Sequence, residues 1–234
     1  MIPLQNTELE NIYSRSLGAG MKSIAITSSN PGEGVSSLAV ALAQRHLLAN
    51  KSTLFVDLNS DKTDHLVLLT SSKKNSPVAS IEPQILTDKQ ESYALLGIPV
   101  PVNSKVNLDW RNPGILERHL ATWIDQFDAV IVDAGSLNRN PQTLIPAERI
   151  VSACEATMLV VMAGITTELT VRHSCERIHS AGGQLTGCIL NECYNPSLKQ
   201  ELLRESNRIP RIFNRLASKI TDLIHNNRLL SLEI

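Results

Sequence analysis

Short, nearly unbroken apolar runs alternate along this chain with stretches whose apolar residues recur at helical spacing. The runs are residues 23–27 (SIAIT), 53–57 (TLFVD), 129–133 (AVIVD), 158–162 (MLVVM) and 187–190 (GCIL), the last running into Asn191. They lack the in-and-out alternation of a half-exposed strand, so both faces of each are predicted to be covered, as in a parallel sheet. Between them, SSLAVALAQRHLLA and residues 113–125 read as helices, the latter with Leu116, Leu120 and Trp123 on one face. This order predicts an α/β fold: a doubly wound, mostly parallel sheet with helices on both faces.

From 63 to 107 the pattern dissolves into Ser, Pro, Lys and Asn. A surface excursion of low order is expected there, with one short strand near 93–96. A helix is expected at about 7–17, and further helices at about 196–228. In that last region Ile212, Leu216, Ile220 and Leu223 share one side, while Arg211, Arg215 and Lys219 repeat at i, i+4 and i+8 on another. Covering the sheet with the apolar stripe is the ordinary role. Peripheral contact with an anionic membrane through Arg211, Arg215 and Lys219 is the alternative.

The 234 residues, 42% hydrophobic and 19% charged, are expected to form a single domain over 1–234. A formal charge of -1 supplies no general basic field, and no nucleic-acid partner is expected. Cys154, Cys175, Cys188 and Cys193 lack zinc-type spacing and are expected to be reduced thiols. The start shows no secretory pattern and no apolar run is long enough to span a bilayer, so a cytoplasmic location is expected.

Residues 28–37, SSNPGEGVSS, follow a strand and open a helix, in the order of a phosphate-binding loop. In the form G-x-x-x-x-G-K-[S/T], amides cradle the phosphates, the lysine reaches the β- and γ-phosphates, and the hydroxyl holds Mg²⁺. Here Gly32, Gly34, Ser36 and Ser37 keep the loop character, Ser29 takes the first glycine position, and Val35 stands where the lysine belongs. An isopropyl group carries neither donor nor charge. Two strands end in Asp57 and Asp133, and ligands of open α/β sheets bind beyond the carboxyl ends of strands. Asp57, Asp133 and Asn191 are therefore expected near the loop.

The sequence from the P-G-E-G string through FDAVIVD to LVVMAGITTELTVRHSCERIHSAGGQLTGCILNECYNP resembles the bacterial tyrosine kinases (BY-kinases) of capsule and exopolysaccharide systems, within the MinD/ParA-like P-loop ATPases. The resemblance implies a vestigial nucleotide site at Gly32, Gly34, Val35, Ser36, Ser37 and Asn191, the last at the adenine-contacting position. It also implies vestigial catalytic carboxylates at Asp57 and Asp133, and ligation of Mg²⁺ by Ser36 and Asp133 wherever that ion binds. ATP and Mg²⁺ are the cofactors that residual activity would use.

The departures point to lost catalysis. The D-x-D-x-R pattern of such kinases reads DLNSD here, so Asn59 replaces the second aspartate and Asp61 the arginine. The ring-building stretch near the start is absent, as is the C-terminal tyrosine cluster; the last tyrosine is Tyr194. A lost transition-state donor commonly costs about 2.7–4 kcal/mol, and phosphoryl transfer rests on positioning and charge neutralisation. The expected function is a catalytically inactive accessory or regulator of exopolysaccharide or capsule assembly and export. Its expected partner is an inner-membrane chain-length (co-polymerase) protein or another export component, through which it sits peripherally at the inner membrane. An active tyrosine kinase or ATPase, and a MinD/ParA-like positioning protein, are the competing readings. A lysine from elsewhere, Lys22 or Lys62, is the route by which activity could survive.

Overall fold

The computed structural model of the protein describes residues 2–59, 67–68, 82–87, 94–99, 101, 104–138 and 145–193. Their elements are, in chain order, α1 (Thr7–Ser14), β1 (Ser23–Ser28), α2 (Val35–Leu48), β2 (Thr53–Asp57), β3 (Val67–Leu68), β4 (Gln84–Thr87), β5 (Ala94–Ile98), α3 (Ser104–Arg111), α4 (Ile115–Gln126), β6 (Ala129–Ser136), α5 (Ala147–Ala153), β7 (Ala156–Met162), α6 (Glu168–Ser180) and β8 (Leu185–Asn191). The strands lie in the order β3-β4-β5-β2-β6-β1-β7-β8. β1 pairs in parallel with β6 and β7, and β2 with β5 and β6, while β3/β4 and β4/β5 are antiparallel. The doubly wound, mostly parallel α/β fold is the one the apolar runs predict.

Strand alternation sorts the core into two layers. Ile24, Ile26, Phe55, Ala129 and Ile131 face α1 and α2 and pack with Leu9, Leu38 and Leu42. Ala25, Leu54, Val56, Val130 and Val132 face the other way, toward Trp110, Leu116, Leu120, Trp123, Ile150 and Ile178. On α2 the small side chains of Ala39, Ala41 and Ala43 are all buried, among the larger Leu38, Val40 and Leu42. At its start, α1 is capped by Asn6 Oδ1, which accepts from Glu8 N at 2.7 Å, and Glu8 and Glu10 in its first turn suit the positive end of the helix dipole.

The stretch from 63 to 107 corrects an expectation. Among its described residues are the start of α3 and the strands β3, β4 and β5, and these strands extend the sheet on one side. The strand expected at 93–96 is β5, at Ala94–Ile98, with an exposed-buried alternation at its start. β4 offers only Ile85 and Leu86, one exposed and one buried, too few apolar residues to register as a run. Asp61, Lys62 and the segment carrying Arg211, Arg215 and Lys219 lie outside the described residues.

By compactness the chain divides into two units, Met1–Val161 with Thr166–Leu190, and Met162–Ile165 with the residues from Asn191 onward. In the second, Ala163 N donates to Asn191 O at 2.9 Å. All four cysteines are free thiols, and burial pushes the Cys154 thiol up to about 12, where it is inert. Among the described residues no helix is long and apolar enough to cross a membrane.

Candidate functional site

The loop between β1 and α2 turns on two glycines in the left-handed region, Gly32 (φ 87°) and Gly34 (φ 103°), conformations a Cβ would strain. Gly34 caps α2, whose first backbone bond runs from Leu38 N to Gly34 O at 3.0 Å. The amides of Val35, Ser36 and Ser37 precede that bond and so have no acceptor within the helix, the arrangement that makes helix N-termini attractive to anions.

Val35 does not point its side chain into open solvent. It is 6% exposed and belongs to the apolar layer formed with Leu38, Leu9 and Ile26. The position at which the P-loop pattern would carry a lysine is part of the core. Lys22 cannot replace it: it precedes β1, at the end of a six-residue strand opposite the loop, roughly 20 Å away at about 3.3 Å per residue.

Glu33 supplies an internal anion that sequence reasoning missed. Its carboxylate is buried and accepts from Ser29 N at 3.1 Å, Asn30 Nδ2 at 2.9 Å and Thr166 Oγ1 at 2.5 Å. Ser29, buried at the first-glycine position, shares a hydrogen bond with Ser174 on α6 at 2.8 Å. Asn30 Oδ1 in turn accepts from Asn138 Nδ2 at 3.1 Å, and Asn138 Oδ1 accepts from Arg177 Nη1 at 2.7 Å. Arg177 also pairs with Glu148. The loop is thus anchored through polar contacts to β6, α5 and α6. The glutamate in P-G-E-G was the visible signal, but its partner Thr166 lies 133 residues away.

At the other end of the loop, the strand-end carboxylates serve their own turns. Asp57 Oδ1 accepts from Asn59 N, and Asp133 Oδ1 from Gly135 N, both at 2.9 Å. Asp57 and Asp133 are register partners across β2 and β6. A bulge opposite Ile26 and Thr27 lets β6 continue past Asp133 to Ser136. Asn59 completes the group: its Nδ2 donates to Ser36 Oγ at 3.2 Å and, more weakly, to Asp133 Oδ2 at 3.5 Å. The structure therefore brings together Ser36, Asp57, Asn59 and Asp133 below Gly32, Gly34, Val35 and Ser37. Asn191 ends β8 in the second unit, where its Oδ1 accepts from Cys193 N at 3.1 Å.

Mg²⁺ requires oxygen ligands in near-octahedral array at about 2.0–2.1 Å. Ser36 and Asp133 carry such oxygens, but an amide N–H group is directed at both. The donor set as arranged does not fit the ion. Among the described residues no group of three or more His, Cys, Asp or Glu side chains could hold a metal.

The fold is shared with several solved structures. The kinase domain of the Escherichia coli tyrosine kinase ETK matches over 74% of this chain and 68% of its own, with a TM-score of 0.54 and 19% identity. The chimerical protein CapA2B2 matches over 78% and 82%, with a TM-score of 0.54 and 24% identity. A cobyrinic acid a,c-diamide synthase from Mycobacterium smegmatis, solved with bound ADP and magnesium, matches over 81% and 82%, with a TM-score of 0.53 and 16% identity. No protein-family description and no curated protein matches the sequence. The chain shares the doubly wound, mostly parallel α/β fold of these structures. Structures similar to it include bacterial tyrosine-kinase domains, the group that its loop and strand-end residues resemble.

Proposed function

We propose that this protein is a catalytically inactive counterpart of the BY-kinases, acting in the cytoplasm as an accessory or regulator of exopolysaccharide or capsule assembly and export. Its partner on this reading is an inner-membrane chain-length protein or another export component. The observation that carries the proposal is Val35, buried in the apolar layer where a phosphate loop needs its cation. Without that cation, the amides at the start of α2 meet a triphosphate with partial charges only, and a charge-assisted bond of roughly 1.5–3 kcal/mol is lost. What survives is the scaffold: a loop held by Glu33, Asn30 and Ser29, suited to presenting a fixed surface.

Purification from host membranes with the chain as bait tests the role. Recovery of a polysaccharide co-polymerase, undiminished when ATP is depleted, is the expected result. Recovery only with ATP and Mg²⁺, together with phosphotyrosine on Tyr13, Tyr93 or Tyr194, would make the protein an active kinase.

A further inference from the structure

We infer that Asn59 is a built-in substitute for a divalent cation, its amide holding Ser36 and Asp133 together, and that Asn59→Asp alone converts the group into a divalent-cation site. The placement of the amide is fixed from two directions. Asn59 N donates to Asp57 Oδ1 at 2.9 Å, which pins the backbone beyond β2, and Nδ2 then reaches Ser36 Oγ at 3.2 Å and Asp133 Oδ2 at 3.5 Å. The residue is 7% exposed and Asp133 1% exposed, so water supplies little of their solvation. A buried carboxylate needs a donor or a cation beside it. Here Gly135 N donates to Asp133 Oδ1 and the Asn59 amide faces Oδ2, so a cation approaching Oδ2 and Ser36 Oγ would meet the partial positive charge of the amide.

Aspartate has the shape of asparagine and the opposite electrostatic demand. At position 59 it would replace the donor by an oxygen, next to Asp133 and one residue beyond Leu58 from Asp57. Like charges this close cannot all remain ionised without a proton or a cation between them. Ser36 Oγ, Asp133 and the new carboxylate would then offer three hard oxygen donors to Mg²⁺, Mn²⁺ or Ca²⁺. The amide's role is independent of which partner the protein serves and requires no nucleotide.

Thermal melts of the full chain, without nucleotide, decide the matter, together with Mn²⁺ binding followed by electron paramagnetic resonance. Wild type is expected to melt at the same temperature in EDTA and in millimolar Mg²⁺, and to leave the free Mn²⁺ signal intact. Asn59→Asp should melt about 5 °C or more lower in EDTA, regain most of that loss with Mg²⁺, and deplete the free Mn²⁺ signal. Asn59→Ala should melt lower in EDTA and not recover. Wild-type stabilisation by Mg²⁺ that Asn59→Ala abolishes would overturn the inference, because the amide oxygen would then be a ligand. So would an Asn59→Asp variant that is unaffected by EDTA, or unfolded with and without cation. An Asn59→Ala variant as stable as wild type would equally remove the amide's structural role.

Discussion

On the function proposed above, the two flanks of the loop have lost their chemistry in physically different ways. On one, Val35 replaces a cation by an apolar group and joins the core beside Leu38 and Leu9. On the other, Asn59 replaces an anion by a neutral amide of the same shape and remains in a polar group with Ser36, Asp57 and Asp133. On that reading the first change removes a cation and adds packing, so its reversal must break a packed layer. The second exchanges one way of solvating buried oxygens for another, so its reversal needs only an ion. An altered site can therefore be fixed in place on one side and convertible on the other.

The largest effect should come from reversing the first. Val35→Lys forces an ammonium into, or out through, the apolar layer and is expected to destabilise the protein by about 2–4 kcal/mol. Val35→Ala should cost about 1.5 kcal/mol, from the two methyl groups withdrawn at roughly 0.8 kcal/mol each. Urea denaturation of both variants measures the difference. A lysine variant as stable as wild type would mean that position 35 faces the loop and not the core.

A smaller, pH-dependent effect is expected where α1 meets α2, far from both flanks in chemistry. His46 is 4% exposed, its Nδ1 lies 3.3 Å from Tyr13 Oη, and burial holds its pKa below the usual histidine value of 6.5. Arg45 and Lys51 lower it further, while Asp128 opposes them. His119, packed between Trp110 and Trp123, is shifted in the same direction by burial. A histidine that is harder to protonate when folded leaves the unfolded chain binding more protons below 6.5. Stability is then fully present above about 6.5 and is lost as the pH falls from there toward the folded-state values. Melts between pH 7.5 and 5.5 should show this decline, and His46→Gln should reduce it. An unchanged slope would assign the decline elsewhere.

The smallest effect belongs to the ion pair of Arg45 and Glu10, joined at 2.6 and 2.8 Å with the guanidinium 4.2 Å from the Tyr13 ring centre. The arginine holds the exposed Glu10 carboxyl below its usual range. Exposed pairs are screened by solvent and salt. Glu10→Gln should shift the melt only slightly, and the shift should vanish in high salt. A large, salt-independent shift would show that α1 depends on this pair for docking.

The residues that announced the fold are those with no polar alternative. AVIVD and SIAIT are buried on both faces at the centre of the sheet, so their runs were legible without neighbours. β4 and α3 were not, because each contributes few inward residues: Leu86 in one, Val106, Asn107 and Trp110 in the other. Asn107 even spends its buried side chain on Pro101 O, a bond of 2.8 Å that no periodicity reveals. The same division holds at the site. Gly32, Gly34 and Ser36 could be placed from their spacing after β1, and Asp57 and Asp133 from their strand ends. What the side chains do there depends on partners distant in sequence, Thr166 and Ser174 for the loop and Asn59 for Asp133, and only the packed sheet brings them within reach.

Calorimetric titration of the wild-type chain with ATP and Mg²⁺ tests the central claim most directly. With Val35 in the core and an amide directed at the metal oxygens, no binding is expected at millimolar nucleotide, and the melting temperature should stay unchanged, since only a ligand bound by the folded state raises it. A dissociation constant in the low micromolar range, with Mg²⁺ required for it, would contradict the account.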